Sequence, residues 1–277
     1  MHLTSEQQDF VIQTVRDAAR EEILPRFQNL AEGDIAIKSS VTDLVTLADT
    51  KAEAWITRAI NRDFPDMLVV GEEAVSASPD LLEGIGPAEI AFIIDPVDGT
   101  WNFAKGLGLF GVILATTRYG TPVFGLLHDP LRDDWIVAKK GGGARLVRAD
   151  GRSRVMRASG LDRIEDLSGY VPLNILPGNK QAATAATFSG FRRVLSLRCA
   201  CHEYRMLAQG HMDFVISGVL NAWDHAAGSL VCQEAGGVSA MLDGSPYSAA
   251  ISEGYLLSAG SQGAWDRLQQ RFSFLLE

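Results

Sequence analysis

Ile90-Ala-Phe-Ile-Ile-Asp-Pro-Val-Asp-Gly-Thr100 is the stretch on which the fold turns. Its apolar opening, Ile90 to Ile94, reads as a strand buried on both faces, and Asp95-Pro96 marks its end because proline cannot donate to a ladder. A D-P-x-D-G-T turn follows, with carboxylates at Asp95 and Asp98 and the Val97 carbonyl directed outward between them. Oxygen ligands so arranged suit hard cations: Mg2+ takes one or two carboxylates, keeps waters and leaves room for a substrate phosphate. The ordinary alternative is a strand-ending Asx turn. Gly99 and Thr100 add backbone N–H groups at the start of a helical stretch, suited to a phosphate oxygen, although Thr100 also fits a simple N-cap.

Upstream, Met67-Leu-Val-Val-Gly71 is a second buried strand that runs into Glu72-Glu73, so two strands deliver acids at their ends. Neighbouring carboxylates repel unless a cation or proton relieves them. Thr4 or Ser5 caps a first helix reaching about Leu30, with Phe10, Val11, Val15, Ala18, Ala19 and Ile23 on one face and Pro25 as a kink or early end. A second helix covers 50–64, and 76–88 reads as loop. Asp49 stands at the entrance to that second helix, either as its N-cap or, close to Thr100, as half of a dyad that takes a proton from the attacking water.

Downstream, Phe110 to Val147 alternates β-rich runs with turn signals (Gly120-Thr-Pro, Asp129-Pro, Asp133-Asp, Gly141-Gly-Gly), the pattern of an antiparallel meander. Strands at 168–172, 191–197, 212–216, 237–241 and 255–258 then alternate with helices at 179–189, 199–209 and 223–235 and a closing helix from Gly263, which is α/β or α+β in class. A boundary near residue 150 divides the chain into a metal-binding half, 1–148, and a substrate-specificity half, 149–277, packed as one unit.

The chain has 277 residues, 47% hydrophobic and 21% charged, enough for a substantial core. A formal charge of -9 argues against a nucleic-acid polymer or an anionic membrane as partner. The amino-terminal MHLTSEQQDF resembles no secretory leader, no apolar run approaches the roughly 18 residues of a membrane span, and a cytoplasmic location is expected. Cys199, Cys201 and Cys232 are an odd set, the first two spaced C-x-C, and read as reduced thiols without the ligand spacing of a zinc site.

Trp223-Asp-His-Ala-Ala-Gly228 puts Asp224 in the first turn of an apolar helix, where it complements the dipole, above small residues that allow close packing. His225 reads as structural, since Mg2+ prefers oxygen to imidazole. Taken in order, Asp43-Leu-Val-Thr-Leu-Ala-Asp49, Glu72-Glu73, Asp95-Pro-Val-Asp-Gly-Thr-Trp-Asn-Phe103 and Trp223-Asp-His-Ala-Ala-Gly228 resemble the inositol monophosphatase family. The similarity extends to the hairpin Pro130–Ala144 and to Glu234-Ala-Gly-Gly-Val238. It implies an α+β fold, a layered α-β-α-β-α sandwich of the inositol monophosphatase and sugar phosphatase type, a homodimer, and two or three Mg2+ per site. By the same resemblance Glu72, Asp95 and the Val97 carbonyl match one ion's ligands, and Asp95, Asp98 and Asp224 a second's. The resemblance further implies a third, weaker ion reached by Glu72 through water. Asp49 and Thr100 match the water-activating pair, the Gly99 and Thr100 amides match the phosphate cradle, and Lys38 matches a position near the site.

The implied reaction is Mg2+-dependent hydrolysis of a small-molecule phosphate monoester. A covalent aspartyl mechanism would want D-x-D-G-T in the first strand, one residue shorter than the motif here. A non-catalytic regulatory member would be expected to have lost ligands. Substrate identity departs from the inositol-specific pattern: Ser217-Gly-Val-Leu-Asn221 lacks the acid expected before Trp223-Asp224. Arg192, Arg193, Arg198 and Arg205 form a local basic concentration from which Arg198 is assigned to the substrate, so fructose 1,6-bisphosphate, histidinol phosphate and adenosine 3',5'-bisphosphate are alternatives.

Overall fold

The computed structural model describes residues 3–31, 33–38, 40 and 43–277. Thr4 caps α1 (Ser5–Ala18) in a capping box with Gln7. The helix expected to reach Leu30 instead passes into a π turn, Ala19–Ile23, and a 3-10 turn, Leu24–Arg26, and stops there. Pro25 supplies no N–H to carry the ladder on. An antiparallel pair, β1 (Ile35–Ile37) and β2 (Leu44–Thr46), leads to α2 (Leu47–Asp63). Thr46, not Asp49, is the N-cap, so α2 begins earlier than residue 50; Asp49 is the reciprocal acid of the capping box.

β3 (Leu68–Gly71) turns directly into α3 (Glu72–Ala77), so Glu72 and Glu73 open a helix where the sequence suggested a bare strand end. A 3-10 turn, Pro79–Gly84, occupies much of the expected loop. The cause is remote in sequence: Glu53 accepts hydrogen bonds from the Glu73 and Ala74 amides, 2.8 Å each, and holds the first turn of α3. β4 (Ala91–Asp98) likewise continues past Pro96, because a register shift between Asp95 and Asp98 lets the proline lie where no ladder donor is needed. After α4 (Thr100–Ala104), the expected meander runs through β5 (Gly111–Arg118), β6 (Thr121–Asp129), β7 (Asp134–Lys139) and β8 (Gly143–Arg148), and gains β9 (Ser153–Val155). The resulting seven-stranded sheet has the order β3-β4-β5-β6-β7-β8-β9, with only the β3–β4 pair parallel.

Every element expected after residue 168 is present: β10 (Ser168–Tyr170), α5 (Gly178–Ala186), β11 (Arg193–Leu195), α6 (Ala200–Ala208), β12 (Phe214–Ser217), α7 (Ala222–Glu234), β13 (Val238–Met241), β14 (Leu256–Ala259) and α8 (Gln262–Phe272). The second sheet is ordered β11-β10-β12-β14-β13. Strand alternation sorts the side chains into layers. Phe92 and Ile94 pack with Val11, Val15, Ile56 and Ile60 of α1 and α2. Ile93, Ile113, Leu127 and Ile136 on the opposite face meet Tyr204, Leu230 and Val231 of α6 and α7, together with Val215 of the second sheet. Phe214 and Ile216 point the other way, onto Trp265, Leu268 and Phe272 of α8. This is the expected α-β-α-β-α sandwich. Among the described residues no helix is long and apolar enough to cross a membrane.

The middle layer is held unusually close. A Cβ on Gly125 of β6 would stand 2.9 Å from the Ala227 carbonyl oxygen, and one on Gly228 would fall inside the Tyr204 ring. The first contact fixes α7, and with it Asp224, against the sheet that carries Asp95 and Asp98, and the second seats α7 against α6. Gly125→Ala should therefore cost about 1–3 kcal/mol, since backbone must move to admit a methyl. Thermal denaturation should register this as a melting temperature several degrees lower; an unchanged melt would contradict the packing.

Candidate metal and phosphate site

Asp95 and Asp98 leave the bulged end of β4, and Asp224 faces them from the first turn of α7. One carboxylate oxygen of each lies within 4.8 Å of the others. Glu72 and Asp224 both come within hydrogen-bonding reach of Asp95. Asp95 does make the Asx turn that is its ordinary reading, accepting the Val97 N–H at 3.1 Å, and it is part of the cluster as well. Asp98 accepts the amides of Ala200 (3.2 Å) and Cys201 (2.5 Å) and the Cys199 thiol (3.0 Å), which couples it to the start of α6. Asn221 donates to Asp224 at 3.1 Å.

Asp49 is fully buried and oriented by the Thr46 amide (2.9 Å) and hydroxyl (2.5 Å), which leaves its other oxygen 3.0 Å from the Thr100 hydroxyl. That hydroxyl also lies 3.0 Å from the Val97 carbonyl. Thr100 is the first residue of α4, and Gly99, with φ 87°, is the N-cap, a correction to the capping role read for Thr100. Lys38 is no solvated loop lysine: its ammonium bridges Glu72 (2.8 Å) and Glu73 (2.7 Å). His225 is engaged by the Tyr204 hydroxyl (3.1 Å) and the Val219 carbonyl (2.8 Å), and burial pushes its pKa down to about 4, as a structural imidazole requires.

Burial dominates the electrostatics. It pushes Asp49 and Asp98 up to about 7 and Asp224 to about 6, and holds Asp95 well above the carboxylate range, with mutual repulsion adding to Asp95 and Asp98. Burial also raises Glu72, against the pull of Lys38. A largely buried set of acids with one ammonium at its margin is costly when ionised, and a hard divalent cation is the partner that all-oxygen donors fit. The donor chemistry thus suits Mg2+ and offers no soft ligand apart from the Cys199 thiol, which burial keeps protonated.

A cavity of about 280 Å³ adjoins the cluster, lined by Asp98, Asp224, Arg198, Glu203 and Tyr204 among others. A larger groove of about 540 Å³, between α1 and α2, contains none of these carboxylates. Of the four arginines grouped in the sequence, only Arg198 lines the cavity, its guanidinium 4.2 Å from the Trp101 ring centroid. Arg205 is buried against Asp134 and the Leu127 carbonyl, Arg192 lies 3.7 Å from Asp166, and Arg193 is exposed on β11. Sequence reading also missed Glu53, one helical turn beyond Asp49, and Glu203, an acid on the buried face of α6. The spacing of both was visible, but nothing local said which way they face.

The family model for the inositol monophosphatase family matches residues 4–272. The chain belongs to this family. Similar relatives include the "Nus factor SuhB" of Pasteurella multocida, 30% identical over 234 residues, with 79% of each chain covered. Another is the "Fructose-1,6-bisphosphatase/inositol-1-monophosphatase" of Thermotoga maritima, 30% identical over 228 residues and 80% of each chain. The solved Thermotoga maritima inositol monophosphatase shares the fold at a TM-score of 0.80, with 23% identity over 98% of both chains.

Because Asp49, Asp98 and Asp224 bind protons more tightly folded than unfolded, stability in EDTA should fall as pH rises from about 4, the unfolded carboxylate range, through 6–7. Added Mg2+ should recover the loss, raising the melting temperature more at pH 8 than at pH 5. Melting temperatures that rise with pH in EDTA would contradict this assignment.

Proposed function

We propose that this family member is a cytoplasmic, homodimeric phosphatase that hydrolyses a small-molecule phosphate monoester with Mg2+, two or three ions per site. The observation that carries the reading is the meeting of Asp95, Asp98 and Asp224, with Glu72 beside them, next to a cavity of about 280 Å³ that Asp98 and Asp224 line. Glu72, Asp95 and the Val97 carbonyl would hold one ion, and Asp95, Asp98 and Asp224 another. When bound, Mg2+ supplies positive charge that neutralises phosphate oxygens and acidifies water.

The chain's own groups do the rest. Asp49, raised to about 7 and held by two bonds from Thr46, is poised to accept a proton near neutral pH. Thr100, between Asp49 and the Val97 carbonyl, orients the attacking water and passes its proton to Asp49. The Gly99 and Thr100 amides receive phosphate oxygens at the same turn. Arg198, held over Trp101 at the cavity, meets the leaving half of the substrate. Inositol phosphate, fructose 1,6-bisphosphate, histidinol phosphate and adenosine 3',5'-bisphosphate are the esters to compare. The name Nus factor carried by several relatives invites a second, regulatory reading; against it stands an acid set with no member missing.

Asp98→Asn and Asp224→Asn should each lower hydrolysis of p-nitrophenyl phosphate in Mg2+ by roughly 100-fold or more, because a ligand set short of one charge binds the cation less well and misplaces the phosphate. Near-normal turnover in either variant would remove the assignment. Thr100→Ala should lower kcat with little change in KM, since Thr100 acts on the water and not on the leaving group.

A further inference from the structure

The cavity holds a second, separate acid that the reaction does not use. Glu203 of α6 is 6% exposed and lines the same space as Asp98 and Asp224. Its Oε1 accepts the Leu197 N–H at 2.7 Å and, more weakly, the Ser196 hydroxyl at 3.4 Å. Among the described residues none donates to Oε2, and no lysine, arginine or histidine forms an ion pair with Glu203. A buried carboxylate with an open oxygen and no counter-charge is expensive unless something from outside completes it. Burial accordingly pushes Glu203 up to about 8, with Asp98 and Asp224 adding repulsion.

The surrounding walls narrow what could complete it. Ile175, Val215 and Val219 present carbon to the cavity, Ser217 and Asn221 add neutral polar groups, and the Arg198 guanidinium lies over the Trp101 ring. A neutral hydroxyl would give the open oxygen a donor but leave the carboxylate's charge unbalanced. A positively charged nitrogen on a compact alcohol would supply both the missing donor and the missing counter-charge. We propose that Glu203 is a substrate-binding residue that recognises a cationic nitrogen on the alcohol half of the phosphate ester, making the preferred substrates phosphate monoesters of amino alcohols. The proposal rests on the phosphatase reading above and specifies its substrate class.

The test compares aminobutyl phosphate, its neutral isostere pentyl phosphate, and inositol monophosphate on the full-length protein with Mg2+. The kcat/KM ratio of the amino ester to the neutral ester should be roughly 30, carried mainly by KM, as expected for one charge-assisted hydrogen bond. Glu203→Gln, which keeps an acceptor for Leu197, should bring that ratio close to one. Being a ratio within one preparation, it is insensitive to a general loss of folded enzyme. Saturation-transfer NMR in EDTA should detect free aminobutanol on the wild type and not on the variant. A ratio unaltered by Glu203→Gln would overturn the proposal, as would a preference for inositol monophosphate that the substitution abolishes. Hydrolysis of none of the esters, with aminobutanol still held in a Glu203-dependent way, would refute the phosphatase reading and leave the recognition standing.

Discussion

Like charges brought together in a largely buried space repel strongly, and the arrangement around Asp95, Asp98, Asp224 and Glu72 is organised by that repulsion. Each acid is held by donors that do not neutralise it: the Val97 amide for Asp95, the Ala200 and Cys201 amides for Asp98, Asn221 for Asp224. Among the described residues only Lys38 brings a full positive charge to them, and it sits at the margin between Glu72 and Glu73. Fixed dipoles aim the oxygens while leaving their charge unspent, the condition a cation-binding centre needs.

The framework serves the same end. A bulge lets β4 carry both of its aspartates to one place, and Gly125 lets α7 lie close enough to the sheet to bring the third, while Gly228 seats the helix on Tyr204 of α6. Three layers of core, from Val11 and Ile56 through Ile93 and Tyr204 to Phe214 and Trp265, surround that junction and resist its opening. The packing enforces a proximity that the charges oppose.

Much of this was legible in the sequence, and the reasons are specific. The continuous run Ile90–Ile94 announced a strand buried on both faces, and the alternations from Phe110 to Val147 announced the meander, because burial writes itself into side-chain period. Asp95, Asp98, Asp224 and Asp49 stood out as acids at the ends of apolar elements. The features that escaped are those fixed by residues far apart in the chain. Glu53 makes a helix of Glu72–Ala77 from a position about one turn past Asp49. The bulge that carries β4 past Pro96 is set by its pairing with Gly111. Arg205 and Arg198 look alike as letters, yet one is bound to Asp134 inside the core and the other lies over Trp101, a distinction made wholly by tertiary placement.

The short segment Leu197–Glu203 does two jobs at once. Its amides and a thiol grip Asp98, and its side chains Arg198 and Glu203 line the space where the rest of a substrate would lie. A substitution there that reshapes the cavity also tugs on a carboxylate of the cluster. Descendants of this protein that drift toward a new ester must therefore accept a change in turnover along the way, so that selectivity and speed in this lineage evolve as one trait.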